Sequence, residues 1–508
     1  MIETLVAYSP FAFLLLFCIY KFGTRGHDYF ERIGLPYVKP IIFFGSIFDF
    51  LTKPGHEEEM RRYRKFGQIY GYFEGNKANL SVADPDLVKD VSIKNFSDFN
   101  GRRVLFTGDI VVDNMVAVIR GEDWKRIRII VSKTFTISKI KNTMNIFKSC
   151  AEIMVQNFRV VAEEENFVDT KRIFGAFTMD VIARSAFSTM IDSHNDPDNI
   201  FVKYAKRILN MKLGIKFICF HTLPTKLMKL LKICITDVEA THALKNLAFE
   251  IMQQRRNNGQ VCNDFLQLLM DAAQEYEETE ATPVRTKGMS MDELASQAVA
   301  FLLAGYDTTA STLSFAAYLL ALNESVQDKL RDEVDAVLEK HNGELTYEAI
   351  QSMTYMKSVL METLRLYPPI YRLERQANAD CQLGDTGITV RKGMLITIPI
   401  YAMNRDPNYW EDPDTFNPDR FEQQTMGLIN KTYPHFLPFG LGPKSCVGKK
   451  FAEIEVKVCL SYLLANFKVR TCSETKIPIE FDNGLNNLLQ PLDITLRMEI
   501  RENPPVII

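Results

Sequence analysis

The sequence predicts a mainly α-helical protein with small β-sheets, in which one large domain follows an apolar N-terminal helix. Helical periodicity of apolar residues is strongest in three segments: 140–161, 171–187 and 238–256. The alternation that is typical of strands is confined to short segments: 69–73, 387–390 and 394–400. The 508 residues are enough for more than one core, but no second linker divides them. We therefore expect a single domain, with the polar stretch 271–287 as a solvated loop.

The N-terminus predicts a membrane anchor. Residues 5–20 carry no charge, and about 20 apolar residues are needed to cross a bilayer. Lys21 and Arg25 follow this run, so the positive-inside rule places the rest of the chain in the cytosol. A cleaved signal peptide is the alternative; it is disfavoured because no positive charge precedes the run and no small-residue cleavage site follows it. We expect three regions: a transmembrane signal anchor over 1–21, a hinge over 22–40 and the main domain over 41–508.

Charge and cysteine content exclude some functions. The net charge is −3 and the pI is near 6.2, which gives no reason to expect nucleic acid as a partner. The nine cysteines are odd in number and none form a C-x-x-C pair, so a zinc cluster or a disulfide framework is disfavoured. A functional cysteine in this chain would act alone.

One segment predicts a long buried helix through the centre of the domain. Ser290 and Glu293 form a capping box, and the chain then continues as a mostly apolar segment without proline. Gly305 lies inside this helix, where glycine costs about 1 kcal/mol relative to alanine, and Asp307 and Thr308 follow it. Two interpretations stay open: simple helix packing around a small residue, or a weakened turn at which a ligand approaches the backbone.

The strongest local signal is a glycine-rich loop with one cysteine, which precedes a predicted helix. It contains Phe439, Gly442, Lys444, Cys446 and Gly448. A thiolate that binds a metal needs backbone N–H groups near the sulfur, an apolar wall and a nearby positive charge. The glycines, Phe439 and Lys444 supply these, and the dipole of the following helix favours an anion. Taken alone, the loop has a plainer alternative, which is a turn with a buried thiol.

This loop resembles the haem-ligand loop of the cytochrome P-450 superfamily of haem-thiolate monooxygenases, at every defined position of F-x-x-G-x-basic-x-C-x-G. Most members have arginine where this chain has Lys444. Lysine keeps the positive charge but lacks the two-pronged geometry with which arginine meets a carboxylate.

Further segments match the family in the same order along the chain. Glu362 and Arg365 resemble its E-x-x-R element, in which side chains at i and i+3 share a helix face. Arg420 resembles the arginine of its P-x-R-F segment, which joins that pair in a buried structural network. Trp124 and Arg128 resemble the W-x-x-x-R helix, whose side chains bind a haem propionate.

The resemblance covers essentially the whole chain. It is closest to the animal microsomal clan that includes vertebrate steroid- and drug-oxidising enzymes of the 3A type. It implies the P-450 fold and haem b as cofactor, with the Cys446 thiolate on the iron. By this similarity the further candidate haem contacts are Arg102, Trp124, Arg128, Arg375, Phe439, Gly442, Lys444 and Gly448.

The resemblance also implies a reaction and its partners. One oxygen atom of O2 is inserted into a lipophilic substrate such as a steroid, lipid or xenobiotic, and Asp307 and Thr308 are the candidates for proton delivery. The candidate substrate pocket consists of small or aliphatic residues: Ala300, Leu303, Ala304, Pro369, Ile370 and Leu373. Electrons are expected from NADPH through the diflavin NADPH–cytochrome P-450 reductase, with cytochrome b5 as a further partner. The expected location is the endoplasmic reticulum membrane, with the catalytic domain in the cytosol.

Some interpretations remain open beside this one. Basic residues offer either a docking face for the reductase or a solvated spread of charge: Lys125, Arg126, Lys133, Lys139, Lys449 and Lys450. The rival functions are a reductase-independent haem-thiolate isomerase and a non-catalytic haem-binding sensor. The Asp307–Thr308 pair argues against the isomerase, and the lack of a visible output domain argues against the sensor.

Overall fold

Helices dominate the protein, as the sequence predicts. The computed structural model describes residues 2–103, 107–209, 214–223, 225–259, 261–279, 288–422, 432–482 and 487–507. The α-helices there are Ile2–Gly23, Tyr29–Arg32, Gly55–Phe66, Pro85–Lys89, Ile110–Asp113, Gly121–Thr134, Ile137–Asn142, Met144–Glu163, Thr170–Phe187, Ile200–Leu209, Gly214–Thr222, Thr225–Leu230, Val238–Asn258, Phe265–Thr279, Met291–Leu322, Glu324–Lys340, Tyr347–Ser352, Thr354–Leu366, Ile400–Met403 and Lys449–Asn466. Short 3₁₀ or π turns occupy Phe48–Leu51, Asp90–Lys94, Pro418–Phe421 and Gly442–Lys444.

The strands form small sheets beside the helices. One sheet has, in spatial order, the strands Ile69–Glu74, Lys77–Val82, Leu395–Ile398 and Leu373–Gln376. Its middle pair is parallel and its two outer pairs are antiparallel. A second, antiparallel sheet has the order Val168–Asp169, Thr495–Ile500 and Phe467–Arg470. A two-stranded ribbon pairs Cys381–Gln382 with Thr389–Val390.

The helix Met291–Leu322, called the central helix below, runs through the main hydrophobic core. The predicted capping box is confirmed, because Ser290 Oγ accepts from Glu293 N and the Glu293 side chain accepts from Ser290 N. A Cβ added to Gly305 would lie 2.7 Å from Ile182 Cδ1. Gly305 therefore serves close packing against the helix Thr170–Phe187, and the ligand-facing surface of the central helix lies elsewhere.

Other segments depart from the sequence prediction. The predicted helix 140–161 is divided at Thr143 into two helices, Ile137–Asn142 and Met144–Glu163. The predicted loop over 271–287 is wrong for residues 271–279, which continue the helix Phe265–Thr279. Ala272 and Ala273 extend the buried face of that helix, so the polar residues among them did not end it. Residues 280–287 lie outside the described part of the chain.

The N-terminal region begins with the helix Ile2–Gly23, in the position of the predicted anchor. Throughout the described residues, no helix combines the length and apolar character needed to cross a membrane. Phe30 is fully buried, and its ring covers Gly71, where an added Cβ would lie 2.5 Å away. The predicted hinge over 22–40 therefore includes a residue that packs into the core.

Candidate active site

The cysteine loop, residues 439–448, has a backbone that only glycine allows at two points. Gly440 and Gly442 both have φ of +74°, a region that L side chains rarely adopt. A Cβ on Gly442 would lie 2.0 Å from Ser92 O. Cys446 N donates to Phe439 O at 2.8 Å and closes the loop. The sequence pattern of this loop thus follows from its tight fold against residue 92.

The Cys446 thiol is accessible and yet has protein atoms around it. Its side chain has accessible surface, yet burial raises its pKa above the usual range. A hydrogen bond from Gly448 N–H and the positive charges of Arg128 and Arg102 act in the opposite direction. A thiol that is both accessible and deep does not lie on the outer surface, so we place it on the wall of a cleft inside the protein.

One face of the central helix lines an accessible space. Leu303 and Thr308 are half-buried and Ala304 is exposed, whereas Leu302 and Ala310 are buried. Ala300 is half-buried as well. Residues three, four and eight positions apart share one face of a helix. Four of the predicted site residues are therefore together on the open face of an otherwise buried helix.

The end of the cysteine loop is connected to the central helix through Phe135. The Phe135 ring centroid lies 5.3 Å from that of Phe301 on the central helix, and the Cβ position of Gly448 is 3.7 Å from the Phe135 ring. Earlier in the same loop, Leu373 Cδ1 lies 3.7 Å from the Cβ position of Gly440. The predicted pocket residues Pro369, Ile370 and Leu373 all retain accessible surface.

Four cations, called the cationic cluster below, surround the loop: Arg102, Arg128, Arg375 and Lys444. Arg102 Nη2 donates to Lys444 O at 3.2 Å, and Arg128 Nη2 donates to Ser445 O at 2.8 Å. Arg375 Nη2 donates to Leu441 O at 3.3 Å. The Lys444 ammonium lies 4.4 Å from the centre of the Trp124 ring. The structure thus brings all the predicted cationic contacts, and Trp124, to one place.

The cationic cluster lacks neutralising carboxylates. In the described part of the chain, no Asp or Glu oxygen lies within 4.0 Å of a nitrogen of these four side chains. Burial, and then the charge of Arg102, lowers the pKa of Arg375 to about 10. Burial, and then the charges of Arg102 and Arg375, lowers the pKa of Lys444 to about 7. Arg375 Nε is buried without a hydrogen-bond partner. The arrangement is suited to a ligand with negative charge at one edge.

Asp307 and Thr308 occupy different surroundings on the central helix. Thr308 Oγ1 donates to Ala304 O at 2.7 Å, on the open face. Asp307 is buried; Gln490 Nε2 donates to its Oδ2 at 3.2 Å, and Lys171 Nζ lies 3.8 Å from its Oδ1. Sequence reasoning missed Lys171 and Gln490 as partners of Asp307. No pattern signals them, because their contacts join distant parts of the chain.

The predicted contact among Glu362, Arg365 and Arg420 is present. Arg365 donates to Glu362 at 2.7 and 2.8 Å, and Arg420 Nε donates to Glu362 Oε1 at 3.1 Å. Neither Glu362 nor Arg365 is exposed. Asn417 N adds a fourth donor to the carboxylate at 2.9 Å.

The basic residues considered for docking are not equivalent. Arg126 is engaged by Glu293 at 2.6 Å and by Asp123 at 3.0 Å, so it connects two helices and is not available as a free charge. Lys450 lies 3.4 Å from Glu453. Lys125 is exposed.

An accessible thiol in a tight loop beside a cluster of cations, together with an accessible apolar face on a central helix, fits a haem-thiolate enzyme. The cytochrome P450 family model matches residues 35–498, and the chain belongs to this family. It is 36% identical to cytochrome P450 3A5 of Homo sapiens, covering 96% of this chain and 95% of the relative. It is 35% identical to cytochrome P450 3A25 of Mus musculus, with 97% and 96% covered. It is 34% identical to cytochrome P450 3A11 of Mus musculus, with 94% and 93% covered.

These comparisons confirm the predicted class. The chain is a haem-thiolate monooxygenase whose family holds haem through a cysteine thiolate. The residues present fit that group. Haem carries two propionate carboxylates at one edge, which match the unneutralised cationic cluster, and an apolar ring, which matches the open face of the central helix.

Proposed function

We propose that this protein is an NADPH- and O2-dependent monooxygenase that oxidises lipophilic substrates such as steroids, lipids or xenobiotics, with electrons from a diflavin reductase. One observation carries the proposal: this member of the cytochrome P450 family has both an accessible Cys446 thiol beside the cationic cluster and an accessible, largely apolar face on the central helix. Ala300, Leu303, Ala304, Pro369, Ile370 and Leu373 are the residues that would contact substrate. Apolar walls of this kind bind lipophilic molecules by excluding water from them.

In this proposal Cys446 is the iron ligand, and the cationic cluster binds the propionates together with Trp124. Bound haem supplies the activation of O2, which a thiolate ligand favours by donating electron density toward the O–O bond. Phe439 shields the thiolate, and Gly448 N–H donates to it. Gly442 keeps the loop in its tight conformation.

The test is a spectrum of the reduced protein with carbon monoxide. Cys446→Ser should lose the red-shifted Soret band that reports thiolate ligation. Cys459→Ser is the matched control, because Cys459 is fully buried and contacts Met154 Sδ at 3.3 Å, away from the cleft. A Cys446→Ser protein that keeps the band would refute the assignment.

We propose that Asp307 and Thr308 deliver protons to the cleft. Asp307 pairs with Lys171, whose side chain retains 23% of its exposure, so this carboxylate is placed to exchange protons with solvent. Thr308 is the next residue, and its hydroxyl oxygen lies on the open face, where it can accept and pass on a proton. Lys171 and Gln490 act as positioning residues for Asp307.

Thr308→Ala tests this role through the coupling of the reaction. NADPH and O2 should still be consumed, while hydrogen peroxide rises and product per NADPH falls; loss of a positioned proton donor costs about 10²–10⁴-fold in the assisted step. Thr312→Ala is the control, since Thr312 Oγ1 makes the same kind of bond, to Thr308 O at 2.8 Å, but is buried. An unchanged ratio in Thr308→Ala would remove it from the mechanism. Turnover without NADPH would favour the isomerase.

We also propose attachment to the endoplasmic reticulum membrane through the N-terminal helix, with the catalytic domain in the cytosol and the reductase and cytochrome b5 as partners. Exposed apolar side chains on Ile2–Gly23 support this, among them Phe13, Leu15 and Phe22. Removing residues 1–25 should weaken membrane flotation and preserve haem content, because the core contact of Phe30 is retained. Unchanged flotation would contradict the anchor.

A further inference from the structure

Arg120 lies beside the cationic cluster but belongs to none of the sequence motifs above. It directly precedes the helix Gly121–Thr134, and its carbonyl accepts from Trp124 N at 3.2 Å. Burial and neighbouring cations, Arg120 among them, lower the pKa of Lys444, so the Arg120 guanidinium lies near that ammonium. The ammonium of Lys444 lies over the Trp124 ring at 4.4 Å, which places Arg120 near the anion-binding edge of the cleft.

A second contact ties the segment before Arg120 to the same place. Arg102 donates through Nη1 to Ala117 O and through Nη2 to Lys444 O, both at 3.2 Å. One guanidinium therefore joins the segment that ends at Arg120 to the cysteine loop. The main chain is therefore held on both sides of Arg120: Trp124 N donates to the Arg120 carbonyl, and the Ala117 carbonyl accepts from Arg102.

The guanidinium of Arg120 has an unused donor. Its Nη2 is buried and donates to no atom of the described residues. No described carboxylate lies within 4.0 Å of it; the nearby Asp123 pairs with Arg126 instead. Burial lowers the pKa of Arg120 to about 10, which agrees with a cation that has lost solvent. Arg120 is half-buried as a residue, but its buried Nη2 has no partner and fits a group with negative charge.

We propose that Arg120 is a fifth haem-binding cation of this chain and donates from Nη2 to a propionate carboxylate. The inference rests on the proposed haem site and adds a residue to it. Lys444 presents one point charge where a guanidinium would present a fork of donors. Arg120 supplies further N–H donors at the propionate edge of the haem site, and so compensates for the donors that a lysine at position 444 lacks.

The substitution Arg120→Gln tests the proposal without disturbing the local fold. The Arg120 side chain makes no capping hydrogen bond to the helix Gly121–Thr134, so its replacement removes no cap. Lys125→Gln is the matched control, because Lys125 is an exposed cation on the same helix. Both holoproteins are mixed with excess apomyoglobin, and the rate of haem transfer is measured beside the propionate bending band in the resonance Raman spectrum.

We expect Arg120→Gln to lose haem about tenfold faster and to shift the propionate band, the order expected for one lost charge-assisted hydrogen bond. Lys125→Gln should match the wild type. If Arg120→Gln yields no holoprotein, Arg120→Lys decides: faster haem loss with a shifted band supports the proposal. Wild-type haem loss and an unshifted band in the variant that loads would overturn it. The reduced carbon monoxide band reports Cys446 separately, so failure of the haem site itself is distinguishable.

Discussion

Two groups of buried or half-buried charges in this protein differ in how they are neutralised. In the Glu362 network, one carboxylate accepts from Arg365 at 2.7 and 2.8 Å and from Arg420 at 3.1 Å. In the cationic cluster, the three arginines donate to backbone carbonyls, the Lys444 ammonium lies over the Trp124 ring, and none of the four meets a carboxylate among the described residues. Buried charges are expensive unless they are paired. The first group is complete within the chain and fixes the fold, whereas the second is suited to receive charge from a ligand.

The two groups also differ in whether each arginine nitrogen has a hydrogen-bond partner. Arg365 also donates through Nη1 to the carbonyls of Asn404 at 2.7 Å and Pro413 at 2.6 Å, and none of its nitrogens is without a partner. Arg375 is equally buried, but its Nε has none. Burial alone therefore does not separate a structural arginine from a ligand-binding one. The separation lies in whether the chain itself provides the partners.

The largest effect is expected in the completed network. Glu362→Ala leaves Arg365 and Arg420 as buried cations without their carboxylate. Breaking a buried pair from one side costs about 3–5 kcal/mol, a large share of a typical stability of about 5–15 kcal/mol. We expect little haem-loaded protein, measured as the ratio of haem to total purified protein.

Glu348→Ala is the control for that measurement. Glu348 pairs with Lys141, but both side chains are exposed, and such pairs contribute little. A normal yield of loaded Glu362→Ala protein would show that the network is dispensable and that the comparison between the two groups fails.

A smaller effect of a different kind is expected in the cationic cluster. Arg375→Gln removes a buried cation that repels Arg102, so the haem-free protein should resist urea at least as well as wild type. Haem transfer to apomyoglobin should accelerate by roughly tenfold or more, because a charged donor to the propionates is lost. A haem-free variant that is clearly less stable than wild type would place Arg375 with the structural arginines.

The sequence anticipated these two groups to different extents. The pairing of Glu362 with Arg365 follows from i, i+3 spacing on one helix, and the cysteine loop is a continuous segment, so both are visible locally. The contact of Asp307 with Lys171 joins distant segments and exists only after the helix Thr170–Phe187 packs on the central helix. The sequence allows two interpretations of Gly305, and its close contact with Ile182 in the folded chain favours helix packing.

Other misses have equally local causes. The helix Phe265–Thr279 continues through polar residues because one face stays apolar, with Ala272 and Ala273 buried. The prediction of a loop rests on the overall polarity of this segment, which does not distinguish the polar face of the helix from its apolar face. Arg120 belongs to no motif, and only its unpartnered nitrogen beside the cationic cluster marks it.

The smallest effect is expected from Lys444→Arg, which should strengthen the binding of anions by the cationic cluster. Lys444 is buried, and its ammonium contacts the Trp124 ring at 4.4 Å. An arginine keeps the charge, can stack on the same ring and presents two donors in the plane that a carboxylate needs. If the cluster serves to bind propionates, haem transfer to apomyoglobin should slow by roughly threefold, with the carbon monoxide spectrum unchanged. Faster haem loss would mean that the space around Trp124 accepts only the slimmer ammonium, so that the fork of donors must come from elsewhere in the cluster. The effect of Lys444→Arg on the rate of haem transfer can also be compared between the wild type and the Arg120→Gln variant. If Lys444→Arg slows haem transfer more in the Arg120→Gln variant, then Arg120 and residue 444 bind the same carboxylate edge of the haem.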